Sequence, residues 1–307
     1  MKVEFYGVRG SVPTPMNGTE VLDRILEKVP KGEKTISVSK LKSMAKKGSL
    51  GYGGNTSCVL LSHEKEHLVV DGGTGLRALG HRLGQLPLDE PIHLLLTHLH
   101  WDHIQGLPFF LPLYQKDRKV MIYSAVGKEA LLKSFKAQFV APYFPVPFEE
   151  LMSHIEFVGF KGSKSIGPFK IRSQPLVHPD PTFAYRIEAG GKSYAHFSDT
   201  ELLDLSPSKQ KKLLEFTKGV DLIVADSQFD DFEAELYKGW GHSCANAFIE
   251  ILGGTDVKAL ALFHYNPQER EAKVDEIFAS AKKYLKKTHP KSKMKIFCAI
   301  EGQGHDL

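Results

Sequence analysis

Short apolar runs alternate along this chain with longer amphipathic stretches. Residues 92–96, 171–177, 193–198, 222–226 and 258–263 are short strand-like runs with apolar positions, too short for helices, so they predict strands. Residues 128–140, 206–217, 243–252 and 269–285 repeat their apolar positions at helical spacing and predict helices that cover those sheets. Residues 20–29 and 38–46 predict two more short helices, broken at Pro30-Lys31-Gly32. No internal repeat stands out. The 307 residues are expected to form one catalytic domain.

The candidate chemistry sits at the ends of the strands. The run at 92–96 leads into Thr97-His98-Leu99-His100-Trp101-Asp102-His103, three imidazoles and a carboxylate in one turn. Neutral imidazole with carboxylate suits zinc or a similar divalent ion. A catalytic ion keeps one position open for water, so four ligands in one loop exceed what a single ion needs, and two ions are expected. Further candidates close three other strands: His178, Asp199 and His264.

In order and spacing this set resembles the metallo-β-lactamase-fold hydrolases, whose pattern is His-x-His-x-Asp-His followed by a single His, an Asp and a last His. The resemblance implies a four-layer αββα sandwich built from two similar halves. It gives one ion His98, His100 and His178 and the other Asp102, His103 and His264, with Asp199 bridging. Zinc is the expected metal, and manganese or iron suits the same ligands.

Trp240-Gly241-His242-Ser243-Cys244 lies between residues 222–226 and the strand leading to His264, where ribonuclease Z and its phosphodiesterase relatives carry a Gly-His-Ser loop. By that resemblance His242 protonates the leaving oxygen. Residues 7–15, 52–57 and 70–75 look like the branch that includes phosphoribosyl cyclic phosphodiesterases and class II cyclic-nucleotide phosphodiesterases. The expected reaction is hydrolysis of a small, cyclic phosphodiester by a metal-bridging hydroxide, with Asp102 and His242 essential. The alternatives are a ribonuclease Z-like endonuclease at the 3′ end of transfer RNA and a redox or thioester metallohydrolase on the same fold. The branch also implies a homodimer.

Around this centre, Asp71 and Asp226 end aliphatic runs, where they either accept the second N–H of metal-bound imidazoles or cap the next turn. Asn55 and Arg9, in Gly-rich loops, are candidates to meet a phosphate oxygen. His63, His67, His81, His93 and His154 lack strand-end clustering and are expected to be structural. Alternation places His196 off the ligand face.

Two segments look inserted. Residues 17–50 carry Lys28, Lys31, Lys34, Lys40, Lys42, Lys46 and Lys47 and form either a solvated helical flap or a basic lid that attracts a phosphorylated substrate. Residues 141–150 hold Pro142-Tyr143-Phe144-Pro145-Val146-Pro147-Phe148, a loop whose aromatics are expected to line a pocket or an interface.

Formal net charge is +4 and the sequence pI near 8.7, compatible with anionic substrates. Outside 17–50 the charges read as well mixed, and no Gly- and basic-rich arm of the kind ribonuclease Z uses to grip RNA is evident, so nucleic acid is not the favoured partner. The three cysteines, Cys58, Cys244 and Cys298, form no Cys-x-x-Cys pair and fit a reducing compartment. With no signal-like or membrane-length apolar stretch, a cytoplasmic protein is expected.

Overall fold

The computed structural model describes the chain except residues 30–34, 47 and 49. Fourteen strands among the described residues make two seven-stranded sheets. In the first lie β1 (Lys2–Gly7), β2 (Cys58–His63), β3 (Glu66–Val70), β4 (Ile92–Leu95), β5 (Lys119–Ser124) and β6 (His154–Gly159). The second holds β7 (Ser163–Ile166), β8 (Phe169–Pro175), β9 (Phe183–Ala189), β10 (Lys192–Phe197), β11 (Leu222–Asp226), β12 (Ala259–Phe263) and β13 (Lys295–Cys298). The last strand, β14 (Gly304–Asp306), crosses back to pair with β1. Each half runs antiparallel first and then parallel: β3 to β6 are parallel in the first sheet, β10 to β13 in the second.

Alternation along the strands builds the layers. Val59 and Leu61 of β2 share a core with Ile171, Tyr185 and Phe197 of the opposite sheet, while Cys58 and Leu60 point the other way. That outer face packs on α3 (Gly75–Leu83) and α5 (Lys128–Ala137) through Leu76, Leu79, Leu131 and Phe135. The second sheet is covered by α6 (Pro207–Thr217), α8 (Ala245–Leu252) and α9 (Glu271–Thr288), with Phe216, Phe248 and Ile277 in the shared core. The result is the expected αββα sandwich. Two short helices, α4 (Trp101–Ile104) and α7 (Asp231–Leu236), sit in the loops after β4 and β11.

Helix boundaries moved for local reasons. The stretch expected at 243–252 starts at Ala245 because Cys244 is extended, at φ −106° and ψ 157°. That expected at 269–285 starts at Glu271, after a turn in which Asn266 Oδ1 accepts from Gln268 N–H. Asn17 caps α1 (Gly18–Lys28): its side chain accepts from Thr19 and Glu20 N–H while Glu20 accepts from Asn17 N–H.

The inserted segment is anchored on α9. Arg24, 4% exposed, donates to Asp275 of α9 at 2.6 Å, and Lys28 donates to the same carboxylate at 3.0 Å. These two cations are thus neutralised at α9. The Pro30-Lys31-Gly32 break, Lys34 and Lys47 lie outside the described residues, while α2 (Val38–Lys46) forms where the sequence placed it.

The Pro-rich loop also differs from expectation. Phe144 packs against Phe109 and Phe139, and Phe148 against Phe135 and Phe157, so these rings pin the loop to the outer core. Only Tyr143 of the three aromatics projects, at 81% exposure. All three cysteines are buried free thiols. Among the described residues no helix is long and apolar enough to cross a membrane.

Candidate metal centre

Parallel strands of both sheets end at one edge, and there the chain turns sharply. Asp71, Asp199 and His264, each just past a strand, take left-handed backbone conformations, with φ of 62°, 54° and 62°. Such conformations strain residues with a Cβ, and they persist where surrounding structure fixes them. Here they accompany side chains that converge on one buried centre.

The side chains form two four-membered nests of possible ligand atoms, each within 4.8 Å of one another, His98, His100, His178 and Asp199 in one and Asp102, His103, Asp199 and His264 in the other, with a smaller third group of Asp226, His242 and His264 beside them. Asp199 belongs to both. Its Oδ2 lies 3.1 Å from His103 Nε2 and 3.3 Å from His264 Nε2, and its Oδ1 lies 3.7 Å from His98 Nε2. Asp102 Oδ2 reaches His264 Nε2 at 3.1 Å and His103 Nε2 at 3.3 Å.

The donor set fits two divalent cations. Nε2 of His98, Nε2 of His178 and Oδ2 of Asp199 are buried without a hydrogen-bond partner, a costly arrangement for polar atoms unless an ion meets them. Burial, and then the neighbouring His103, holds His98 well below the usual imidazole range, so its ring is neutral, the form a metal ion would need. His103 is pushed the other way. Burial opposes its charge, but Asp102, Asp199 and Asp71 outweigh burial and hold the ring well above its ordinary value. A cluster this rich in buried carboxylate requires positive charge, which two divalent cations would supply.

His242 stands beside the second nest. Its ring stacks on His264 at 5.2 Å between centroids, and its Nδ1 lies 3.1 Å from Asp226 Oδ2 and 3.8 Å from Asp199 Oδ1. Burial alone would lower its proton affinity; Asp226, Asp199 and Asp102 outweigh burial and push it up to about 9. Gly241 makes the position sterically accessible. At φ +88° it lies so close to the first nest that a Cβ there would sit 2.1 Å from His178 Cδ2.

A family model described as a beta-lactamase superfamily domain matches residues 66–265, from β3 to just past His264. The chain belongs to this superfamily. Among curated relatives of the superfamily, the ribonuclease Z of Haloarcula marismortui is 24% identical over 277 residues, covering 74% of this chain and 86% of its own. The ribonuclease Z of Sulfolobus acidocaldarius is 24% identical over 274 residues, covering 75% and 88%. Solved structures of the same fold include the metallo-beta-lactamase fold protein YhfI of Bacillus subtilis, at 18% identity and a TM-score of 0.63 over 99% of this chain and 98% of that one. Unliganded yeast PDE1 has 15% identity and a TM-score of 0.62 over 100% and 99%, and a diphosphatase of the PhnP family has 15% and 0.61 over 100% and 97%.

Within this superfamily framework the supporting shell is explicit. Asp71, fully buried, accepts from His103 Nδ1–H at 2.8 Å, from Thr97 N–H and Oγ1–H at 2.9 Å each, and from Ser57 Oγ–H at 3.0 Å. Its carboxyl is held below the usual range: burial opposes ionisation, and His103 and His196 overcome it. Asp226 caps the turn that follows it, accepting from Gln228 N–H at 3.1 Å. Besides Thr200 and Gln228 N–H it holds His242, and none of the expected metal ligands is hydrogen-bonded to it.

Two weaker expectations are corrected. The amide of Asn55 donates to Glu301, and the Arg9 guanidinium, 2% exposed, is taken up by Glu271 and the carbonyls of Gly53 and Asn266. Both clamp the N-terminal loops together rather than offering donors to a phosphate. Other side chains complete the shell. Asp180 Oδ2 lies 2.8 Å from His100 Nε2, which leaves Nδ1 of that ring for an ion. Ser11 N–H donates to Asp102 Oδ2 at 2.8 Å, and Gly10 packs so closely that a Cβ would lie 2.5 Å from the His264 ring. His196 stands behind Asp71, its Nε2 3.5 Å from Oδ2. Alternation had placed His196 off the ligand face, where it stands, and Asp180, two residues past His178, carried a readable signal.

Proposed function

We propose that the chain is a metal-dependent phosphodiesterase acting on a small, cyclic phosphodiester, a cyclic nucleotide or a phosphoribosyl cyclic phosphate. The supporting observation is the position of His242, held at Nδ1 by Asp226 and stacked on His264 at the edge of the two nests. When bound, two divalent cations, zinc in this reading, supply an activated water and a clamp for the phosphoryl oxygens. The chain does the rest. Asp199 and Asp102 fix the spacing of the nests, Asp71 and Asp180 orient His103 and His100, and Asp226 aims His242.

A phosphodiester gains negative charge on its departing alkoxide in the transition state, so an acid near that oxygen stabilises it more than the ground state. With Nδ1 occupied by Asp226, Nε2 of His242 is the atom that delivers the proton. A redox or thioester reaction would leave His242 without an alkoxide to protonate.

A second reading has its own support: relatives that align with about three quarters of this chain are named ribonuclease Z. In that reading the same residues cut the 3′ extension of transfer RNA. A homodimer belongs to either version, and light scattering reads it.

Zinc- or manganese-loaded protein, assayed on 3′,5′-cyclic AMP and on a 3′-extended transfer RNA with Asp102→Ala as blank, separates the two. Hydrolysis of the cyclic nucleotide alone is the expected result. Cleavage of the RNA alone transfers the function to the second reading, and activity on neither of these, nor on a phosphoribosyl cyclic phosphate in the same assay, refutes both.

A further inference from the structure

The charges expected to be well mixed outside residues 17–50 are not mixed near the C-terminal end of the chain. From Lys282 to Lys295 the sequence holds seven lysines and no acidic residue. Lys282, Lys283, Lys286 and Lys287 occupy the last two turns of α9, and Lys291, Lys293 and Lys295 continue through the turn into β13. All seven are exposed. Elsewhere Lys2, Lys28, Lys136, Lys238 and Lys273 are each within ion-pair distance of a carboxylate, but none of these seven is, among the described residues.

A lysine or two at a helix C-terminus offsets the helix dipole. Seven unneutralised charges exceed that need and repel one another. The shape beside them supplies a reason to keep them. A groove of about 1010 Å³ opens here, in which Lys291, Lys293 and Lys295 with Lys192, Lys258 and His289 outnumber the acidic Asp221, Asp256 and Asp306. Lys258 is neutralised by Asp221 at 2.6 Å; the other four lysines are not.

The groove lies at the end of the sheet opposite the metal nests. It borders the N-terminal ends of β10 to β13, whereas Asp199 and His264 follow the C-terminal ends of β10 and β12. Five residues of β12 at about 3.3 Å each put the two at least about 16 Å apart. A small cyclic phosphate bound between the nests cannot reach these lysines. A polymer can.

We infer that the basic face formed by the end of α9, the turn at 289–294 and the start of β13 is an RNA-binding surface that grips the phosphate backbone remote from the metal centre. Lysines act there as point charges on successive phosphates, which gives affinity without base specificity. A bilayer fits less well. Anionic membranes are bound by basic surfaces that also bury apolar anchors, and among the described residues no exposed large apolar side chain belongs to α9, the turn at 289–294 or β13. The inference does not depend on which phosphodiester the metal site cleaves, because binding and hydrolysis are read separately.

The test is fluorescence anisotropy with a labelled mature transfer RNA, which offers no 3′ extension to cut. Four changes, Lys286→Glu, Lys287→Glu, Lys291→Glu and Lys293→Glu, are combined, and a control carries Lys116→Glu, Lys119→Glu, Lys128→Glu and Lys133→Glu with the same change in net charge. The first variant is expected to bind at least about tenfold more weakly with a shallower salt dependence, while the control stays within about twofold of wild type. Unchanged hydrolysis of bis(p-nitrophenyl) phosphate shows that both variants fold. The inference is overturned if the wild-type protein does not bind the RNA at low salt, if the first variant binds as wild type does, or if both variants lose binding equally. Binding to phosphatidylserine vesicles without binding to RNA overturns it in favour of a membrane.

Discussion

His242 Nδ1 and Asp226 Oδ2 lie 3.1 Å apart, which joins the loop after α7 to the end of β11. The carboxylate fixes which nitrogen of the ring faces the metal nests, and it does so from a fully buried position. Replacing it tests orientation separately from metal binding. Asp226→Asn keeps the shape and removes the charge, so turnover should fall about 10–100-fold, the usual cost of losing such a supporting carboxylate. Metal content by elemental analysis should be unchanged, and a loss of metal in step with activity would make Asp226 a ligand support instead.

Asp71 is the opposite case. It holds His103, and three further donors from Thr97 and Ser57 converge on it. Asp71→Asn presents an amide N–H where a donor now points, so metal affinity is expected to drop about 10–100-fold, and the melting temperature should fall as well. Metal titration together with a thermal melt checks both, and an unchanged affinity would separate Asp71 from the metal centre.

Gly241→Ala is expected to damage the site without unfolding the protein. The new methyl would collide with His178 2.1 Å away, and alanine at φ +88° costs about 1–2 kcal/mol of backbone strain. Metal occupancy of the nest containing His178 should fall while the other nest stays loaded. Full occupancy of both nests, measured as metal per chain, would show that the loop relaxes freely.

Removing metal should lower stability. The nests bury Asp102 and Asp199 beside imidazoles whose Nε2 atoms lack partners in two cases. Cations that bind only the folded chain stabilise it by mass action, about 2.7 kcal/mol at a hundred times the dissociation constant. A chelator should therefore depress the melting temperature, and added zinc should restore it. Identical melts with and without chelator would mean that the nests hold no tightly bound ion.

Much of the centre was legible in the chain because its ligands sit where strands end. Local pattern is enough to find such positions. A short aliphatic run predicts a buried strand, and a His or Asp directly after it predicts a side chain at the sheet edge, so His98, His178, Asp199 and His264 could be read before any folding was known. The alternation of strand-like and helical stretches predicted helices covering sheets, whereas the four-layer sandwich was implied by the family resemblance that the ligand pattern carries.

Which side chain supports which ring was decided only in three dimensions. Asp71 and Asp226 look alike in sequence, each closing a run of aliphatic residues, yet one faces His103 and the other His242. Arg9 and Glu271 are far apart along the chain and form a buried pair, which removed Arg9 from the substrate side. Phe144 and Phe148 turned inward because neighbouring rings offered apolar area to bury, a choice that proline spacing does not encode. Periodicity fixes which face of its own element a side chain occupies. Its partner is set by sheet order and loop path, and those become definite only when distant segments pack.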